Sequence, residues 1–187
     1  MANNPFSENT PYLHRLAEKS NAANGIVPDM YTKYNVKRGL RDINGRGVLT
    51  GLTEISEIVA AKEVGGETVP ADGELYYRGI NVRSLAEGFQ RDGRYGFEEC
   101  VYLLLFGTLP SAGELSTFKD QLGAYRCLPT NFVRDIILKA PSHDMMNTLA
   151  RSVLTLYAYD DNADDISVVN VLRQCLQLIA LFPILSV

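Results

Sequence analysis

The run 97–111, Phe-Glu-Glu-Cys-Val-Tyr-Leu-Leu-Leu-Phe-Gly-Thr-Leu-Pro-Ser, most constrains what this chain can fold into. Apolar residues at Phe97, Val101, Leu104 and Leu105 recur at helical spacing and predict one buried helix face. Gly107 can take the left-handed conformation that closes a helix. Ser111 with Glu114 matches a capping box that opens the next one. A helix, a glycine stop and a second helix are specified, and no reactive group is.

The same punctuation runs along the chain. Thr10 as N-cap and Pro11 at the first helical position start a helix with Leu13, Leu16 and Ala17 on one face, ending before Asn24-Gly25. Residues 28–34 read as a short helix. Asn81 caps a helix to about Gln90, which Asp92-Gly93 breaks. The helix after Ser111 runs to about Tyr125 with Leu115, Phe118 and Leu122 on one face, and Leu128-Pro129 stops it. Thr130 is read as the cap of a helix over 132–139. Pro141 ends it, and Ser142 caps a following helix whose Met145, Met146, Leu149, Val153, Leu154 and Leu156 predict a well-buried face. Ser167 starts the last helix, with Val168, Val171, Leu172, Cys175, Leu178 and Ile179 expected to face inward. Only 48–59 and 73–80 read as strands, separated by Gly65-Gly66 and Pro70-Ala71-Asp72-Gly73, which predicts a small antiparallel element with a long connection. The expected fold is mainly α, with that β element near the N-terminus.

At 187 residues and 46% hydrophobic, the chain can bury one good core. A net charge of -4 provides no general attraction to phosphate backbones or anionic membranes, which argues against nucleic acid and membrane partners. The apolar residues 176–187 are too few to span a bilayer and include Pro183, so they read as a buried helix. The N-terminus lacks the pattern of a secretory leader, and a cytoplasmic setting is expected. Cys100, Cys127 and Cys175 are odd in number, widely spaced and set among apolar neighbours, as reduced core thiols would be. With His14 and His143 the only histidines, no metal-ligand spacing exists.

Each candidate site has a plain structural reading beside it. His143 could act as a base or ligand, yet its neighbour Asp144 would point elsewhere on a helix; His14 is plainer still. The aspartates between Asp160 and Asp165 lack the glycine and distal glutamate of a calcium loop and read as a solvated helix cap. Gly45-Arg46-Gly47 and Gly65-Gly66 do not continue into a phosphate-cradling pattern and read as turns. Lys33, Lys37, Arg38, Arg41 and Arg46 make a basic, turn-rich link. Arg78, at a strand end, could hold a carboxylate or phosphate with its fork, or form an internal salt bridge. The Met145-Met146 pair and Tyr76, Tyr77, Tyr102 and Tyr157 read as packing groups. No serine sits in a nucleophile elbow.

Several segments, taken in order, resemble the N-terminal half of the large domain of citrate synthases. They are Gly47-Val48-Leu49-Thr50-Gly51-Leu52-Thr53-Glu54-Ile55-Ser56, Gly73-Glu74-Leu75-Tyr76-Tyr77-Arg78-Gly79-Ile80, Leu85-Ala86-Glu87, residues 97–110, Arg126-Cys127-Leu128-Pro129 and residues 172–183. The resemblance covers about Gly39 to the end. It implies residues 1–46 as an N-terminal extension and basic link, and 47–187 as the first part of a large helical domain. One departure is His143-Asp144-Met145 where the family often has His-Pro-Met. The resemblance implies condensation of acetyl-CoA, or in related members propionyl-CoA, with oxaloacetate, and a homodimer built on large-domain helices. Such chemistry needs a carboxylate base and donors that stabilise the enolate and polarise the acceptor carbonyl. The family uses an aspartate and histidines whose motifs lie beyond these residues. The expectation is therefore no catalytic residue, no metal and no resident cofactor in this chain, with acetyl-CoA a substrate of the parent enzyme. The polypeptide alone is expected to be inactive. The alternative is a helical interaction module derived from that family.

Overall fold

The computed structural model describes residues 4–37, 39–40, 48 and 50–186. In chain order the elements are α1 (Pro11–Ala22), α2 (Asp29–Lys33), β1 (Ser56–Val64), β2 (Glu67–Tyr77), β3 (Ile80–Asn81), α3 (Val82–Arg91), α4 (Phe97–Phe106), α5 (Ala112–Tyr125), a π-helical segment (Val133–Leu138), α6 (Met145–Leu156), a 3₁₀ turn (Tyr157–Tyr159) and α7 (Val168–Ser186). The chain divides into two compact units, one of Ser20–Ser111 and one of Met1–Lys19 with Ala112–Val187. The basic link at Arg38, Arg41 and Arg46 and the Gly45-Arg46-Gly47 turn lie outside the described residues.

In the unit Ser20–Ser111 the sheet is a hairpin with a short third strand, in the order β1-β2-β3. Val64 pairs with Glu67, and Gly65 and Gly66 between them have φ of 64° and 86°. Two successive left-handed residues make the tight turn that matches strand twist, so glycine is what this corner requires. The strands are thus joined more closely than expected, and the pairing extends to Val64 rather than stopping near Val59. Pro70 and its successors are not a connection but a bulge within β2: Val59 pairs with Glu74 and Ala61 with Pro70, leaving Ala60 opposite residues 71–73. Proline is tolerated there because β3 pairs only with Tyr76 and Tyr77, leaving that part of β2 an open edge. A second tight turn, Arg78-Gly79 with φ of 48° and 80°, joins β2 to β3.

Asn81 caps α3 as expected, its side chain accepting from the Arg83 N–H at 2.9 Å, and α3 packs on β2 and β3. Gly107 closes α4 at φ 78°, its N–H donating to the Leu103 carbonyl. The face α4 buries is not the expected one: Glu99, Tyr102, Leu103 and Phe106 are buried, whereas Phe97 is 53% exposed. Glu99 can occupy that face because Arg94 pairs with it, offsetting the cost of burying a carboxylate.

In the other unit α5 and α6 both pack on α7. Thr10 caps α1 through the Leu13 N–H, and Leu13, Leu16 and Ala17 are buried. Phe118 and Leu122 are the buried residues of α5. Phe132, Leu181 and Leu185 form a core cluster that Leu128, Ile136, Ile137, Leu149 and Leu156 pack against. The segment after Thr130 is π-helical over Val133–Leu138, not α-helical. It follows Asn131 at φ 65°, a left-handed residue that breaks any helix starting at Thr130.

Two further helix faces differ from expectation. On α6 only Ser152 is buried, and Met145, Met146 and Leu154 stand 72–76% exposed. Its N-cap is Asp144, which accepts from the Asn147 N–H at 3.0 Å, while Ser142 accepts from Asp144. An aspartate cap thus begins the helix where a proline was missing. On α7 the buried set is Asn170, Leu172, Arg173, Leu176, Ala180, Leu181 and Leu185, whereas Val168, Val171 and Cys175 are exposed. By length and composition α7 could cross a bilayer, but within this unit it is the helix that the others pack on.

Candidate functional site

The most enclosed polar group in the described structure is one the sequence reading did not single out. Asn170, Arg173, Gln174 and Gln177 recur at helical spacing and form a polar stripe within the apolar run of α7. Arg173 and Asn170 are both 0% exposed. A buried guanidinium must find acceptors for its fork or forfeit its hydration. Arg173 Nη2 donates to both oxygens of Asp160, at 2.9 and 2.7 Å, and to Asn170 Oδ1 at 2.7 Å. Its Nη1 donates to the Phe6 carbonyl and, at 2.9 Å, to Gln177 Oε1. Asn170 is itself anchored, its amide donating to the carbonyls of Asn162 and Asp165 at 2.8 and 2.7 Å.

Asp160 is consequently no solvated cap. It accepts from Arg173, from Gln174 Nε2 at 3.0 Å, from the Ser7 hydroxyl at 3.0 Å and from the Asn162 N–H at 3.0 Å. Burial alone would make the carboxyl a weaker acid and raise its pKa. The hydrogen bonds, led by Arg173 and Gln174, outweigh burial and hold the carboxyl below the usual carboxylate range. A carboxylate in this state is a weak base with its lone pairs taken. It can position a loop, but it is ill suited to taking a proton from carbon.

Two clefts flank this centre. One of about 250 Å³ is lined by Val153, Leu156, Leu178, Leu181 and Phe6 with Asp160 at its edge. The other, of about 340 Å³, lies against Tyr125, Leu128 and Pro129 and shares Phe6, Gln177 and Leu181 with the first. The Tyr125 hydroxyl is buried with no hydrogen-bond partner among the described residues. Burial pushes it up to about 12, with Glu8 adding to the rise and Arg173 opposing it.

The other sequence candidates are dispersed. His14 and His143 are exposed, and the described residues hold no cluster of metal-ligating side chains. Cys100 is half-buried and Cys127 and Cys175 are exposed, so the thiols are free but do not belong to a core; burial raises the Cys100 thiol. Tyr157 donates to Asp164 at 2.9 Å. Among the described residues Arg78 makes no salt bridge, and its fork is taken up by backbone carbonyls. Its Nε and Nη2 donate to the Leu104 carbonyl at 3.2 and 3.0 Å and its Nη1 to the Ala23 carbonyl at 3.3 Å. It therefore caps the last turn of α4, where carbonyls lack helical partners.

Comparison with known proteins adds what this geometry does not carry. The family model described as citrate synthase, C-terminal domain, matches residues 39–187. A citrate synthase of Corynebacterium glutamicum is 30% identical over 172 residues, 91% of this chain and 36% of the relative. A citrate synthase of Haloferax volcanii is 38% identical over 94 residues, 49% of this chain and 23% of the relative. A 2-methylcitrate synthase of Shewanella oneidensis is 34% identical over 94 residues, covering 48% of this chain and 23% of that protein. The chain thus spans about a quarter to a third of the length of these relatives.

Proposed function

Because the chain belongs to the citrate synthase family, we propose that its residues build the helical platform of an acyltransferase condensing acetyl-CoA with oxaloacetate to citrate and CoA. The observation that carries this reading is the family match over 39–187, a range that contains the motifs around Arg78, Gly107 and Pro129. The relatives named 2-methylcitrate synthase make a propionyl group the second acyl donor to test.

In this reading residues 1–46 are an extension and link, and residues 47–187 are the first part of the large helical domain. The polypeptide by itself is a scaffold and does not turn over. Two features of the described residues support this: the carboxylates of Asp160 and Glu99 are spent on Arg173 and Arg94, and both histidines stand at the surface. No resident cofactor is assigned, and acetyl-CoA and oxaloacetate are substrates of the complete enzyme. A cytoplasmic place in the tricarboxylic acid cycle and a homodimeric assembly belong to the same proposal. The exposed Met145, Met146 and Leu154 supply apolar surface for such association.

The decisive measurement is release of free CoA thiol from acetyl-CoA plus oxaloacetate by the purified 187-residue chain. The expected result is no release above the blank. Saturable release would overturn the scaffold assignment.

A further inference from the structure

Residues 4–7 precede the region matched by the family model, yet they are bonded into the centre of the helical unit. The Phe6 carbonyl accepts from Arg173 Nη1 and, at 3.0 Å, from Gln177 Nε2. The Ser7 carbonyl accepts from Asn162 Nδ2 at 3.0 Å. The Ser7 hydroxyl donates to Asp160 and accepts from the Asp161 N–H at 2.7 Å. Asn4 Nδ2 donates to the Tyr159 carbonyl and to Asp161. The Asn4 side chain also accepts from the Phe6 N–H at 3.0 Å, holding the segment in a turn. Phe6 lines both clefts.

This is the anatomy of a bound peptide. Main-chain carbonyls are read by a guanidinium and two amides, a hydroxyl is read at both its donor and its acceptor, and one aromatic residue lines the flanking clefts. We propose that Arg173, Gln177, Asn162 and Asp160, with the flanking clefts, form a peptide-recognition groove whose occupant is this chain's own residues 4–7, acting as a separable clasp. Arg173 is the positioning residue of that groove, oriented by Asp160 and Asn170. Withdrawing the clasp removes a residue that lines both clefts and leaves Nη1 of a buried guanidinium short of one acceptor, which gives the groove its preference for main-chain carbonyls.

The test keeps the full chain, with a protease site placed between Asn9 and Thr10 and cut only after folding. The cut chain is expected to stay folded by circular dichroism. It should lose the N-terminal peptide on dilution and bind a synthetic peptide of residues 1–9 saturably, at one per chain. The same peptide carrying Phe6→Ala should bind at least ten-fold more weakly. Unfolding on cleavage, absence of saturable binding, or equal binding of the Phe6→Ala peptide would each overturn the proposal.

Discussion

Each of the two units is tied together by one arginine, and the two are solved differently. Arg78 is half-buried and spends its fork on neutral carbonyls at the ends of two helical segments. Arg173 is fully buried and meets a carboxylate, two amide oxygens and a carbonyl. The difference follows from solvation. A guanidinium that keeps part of its hydration needs only dipoles, whereas one stripped of water requires a counter-charge to offset desolvation. The first kind of arginine acts as a helix cap, and the second organises a loop, a helix and an N-terminal segment around one charge.

Removing the counter-charge tests this contrast most severely. Asp160→Asn is expected to destabilise the chain by roughly 3–5 kcal/mol at pH 7, because it leaves Arg173 buried and unpaired. The carboxyl of Asp160 is held below its ordinary value, so its contribution is complete above the unfolded value of about 3.9. It is lost as pH falls through the lower native value. Denaturant titrations should therefore show the gap between wild type and variant closing below about pH 4, and a gap indifferent to acid would break the assignment.

Arg78→Ala should cost less, roughly 1.5–3 kcal/mol, the range for hydrogen bonds to a charged group. Its acceptors are carbonyls that do not titrate, so this gap should hold steady over the same acid range, and narrowing would erase the distinction between the two arginines. The smallest expected change has the opposite sign. Tyr125 buries a hydroxyl without a partner among the described residues, so Tyr125→Phe should stabilise the chain by about 1 kcal/mol. A loss of stability in thermal melts would mean that the hydroxyl is satisfied in solution.

Helix ends were legible in advance wherever one residue sets them by local hydrogen bonding. Thr10, Asn81 and Gly107 act as expected. Asp144 instead of Ser142 shows the limit, since two adjacent polar residues compete and their relative geometry decides. Helix faces were less legible. In α4 and α7 apolar residues run nearly all round, so periodicity admits several buried faces and neighbours choose among them. The polar stripe at Asn170, Arg173, Gln174 and Gln177 was the signal in the sequence that was missed, and folding pairs it with Asp160. The bulge at Pro70 was hidden because proline and glycine read first as a turn, although an open strand edge accommodates both.

The amino-acid sequence alone determined the family, the mainly helical class and most of the points where helices start and stop. These follow from the order of motifs and from capping, which acts within a few residues. Only the tertiary structure decided which face of α7 is inside, that Arg173 is sealed against Asp160 and that residues 4–7 close over them. Burial is a property of neighbours distant in sequence, and a charge goes inside only where folding brings its partners to meet it.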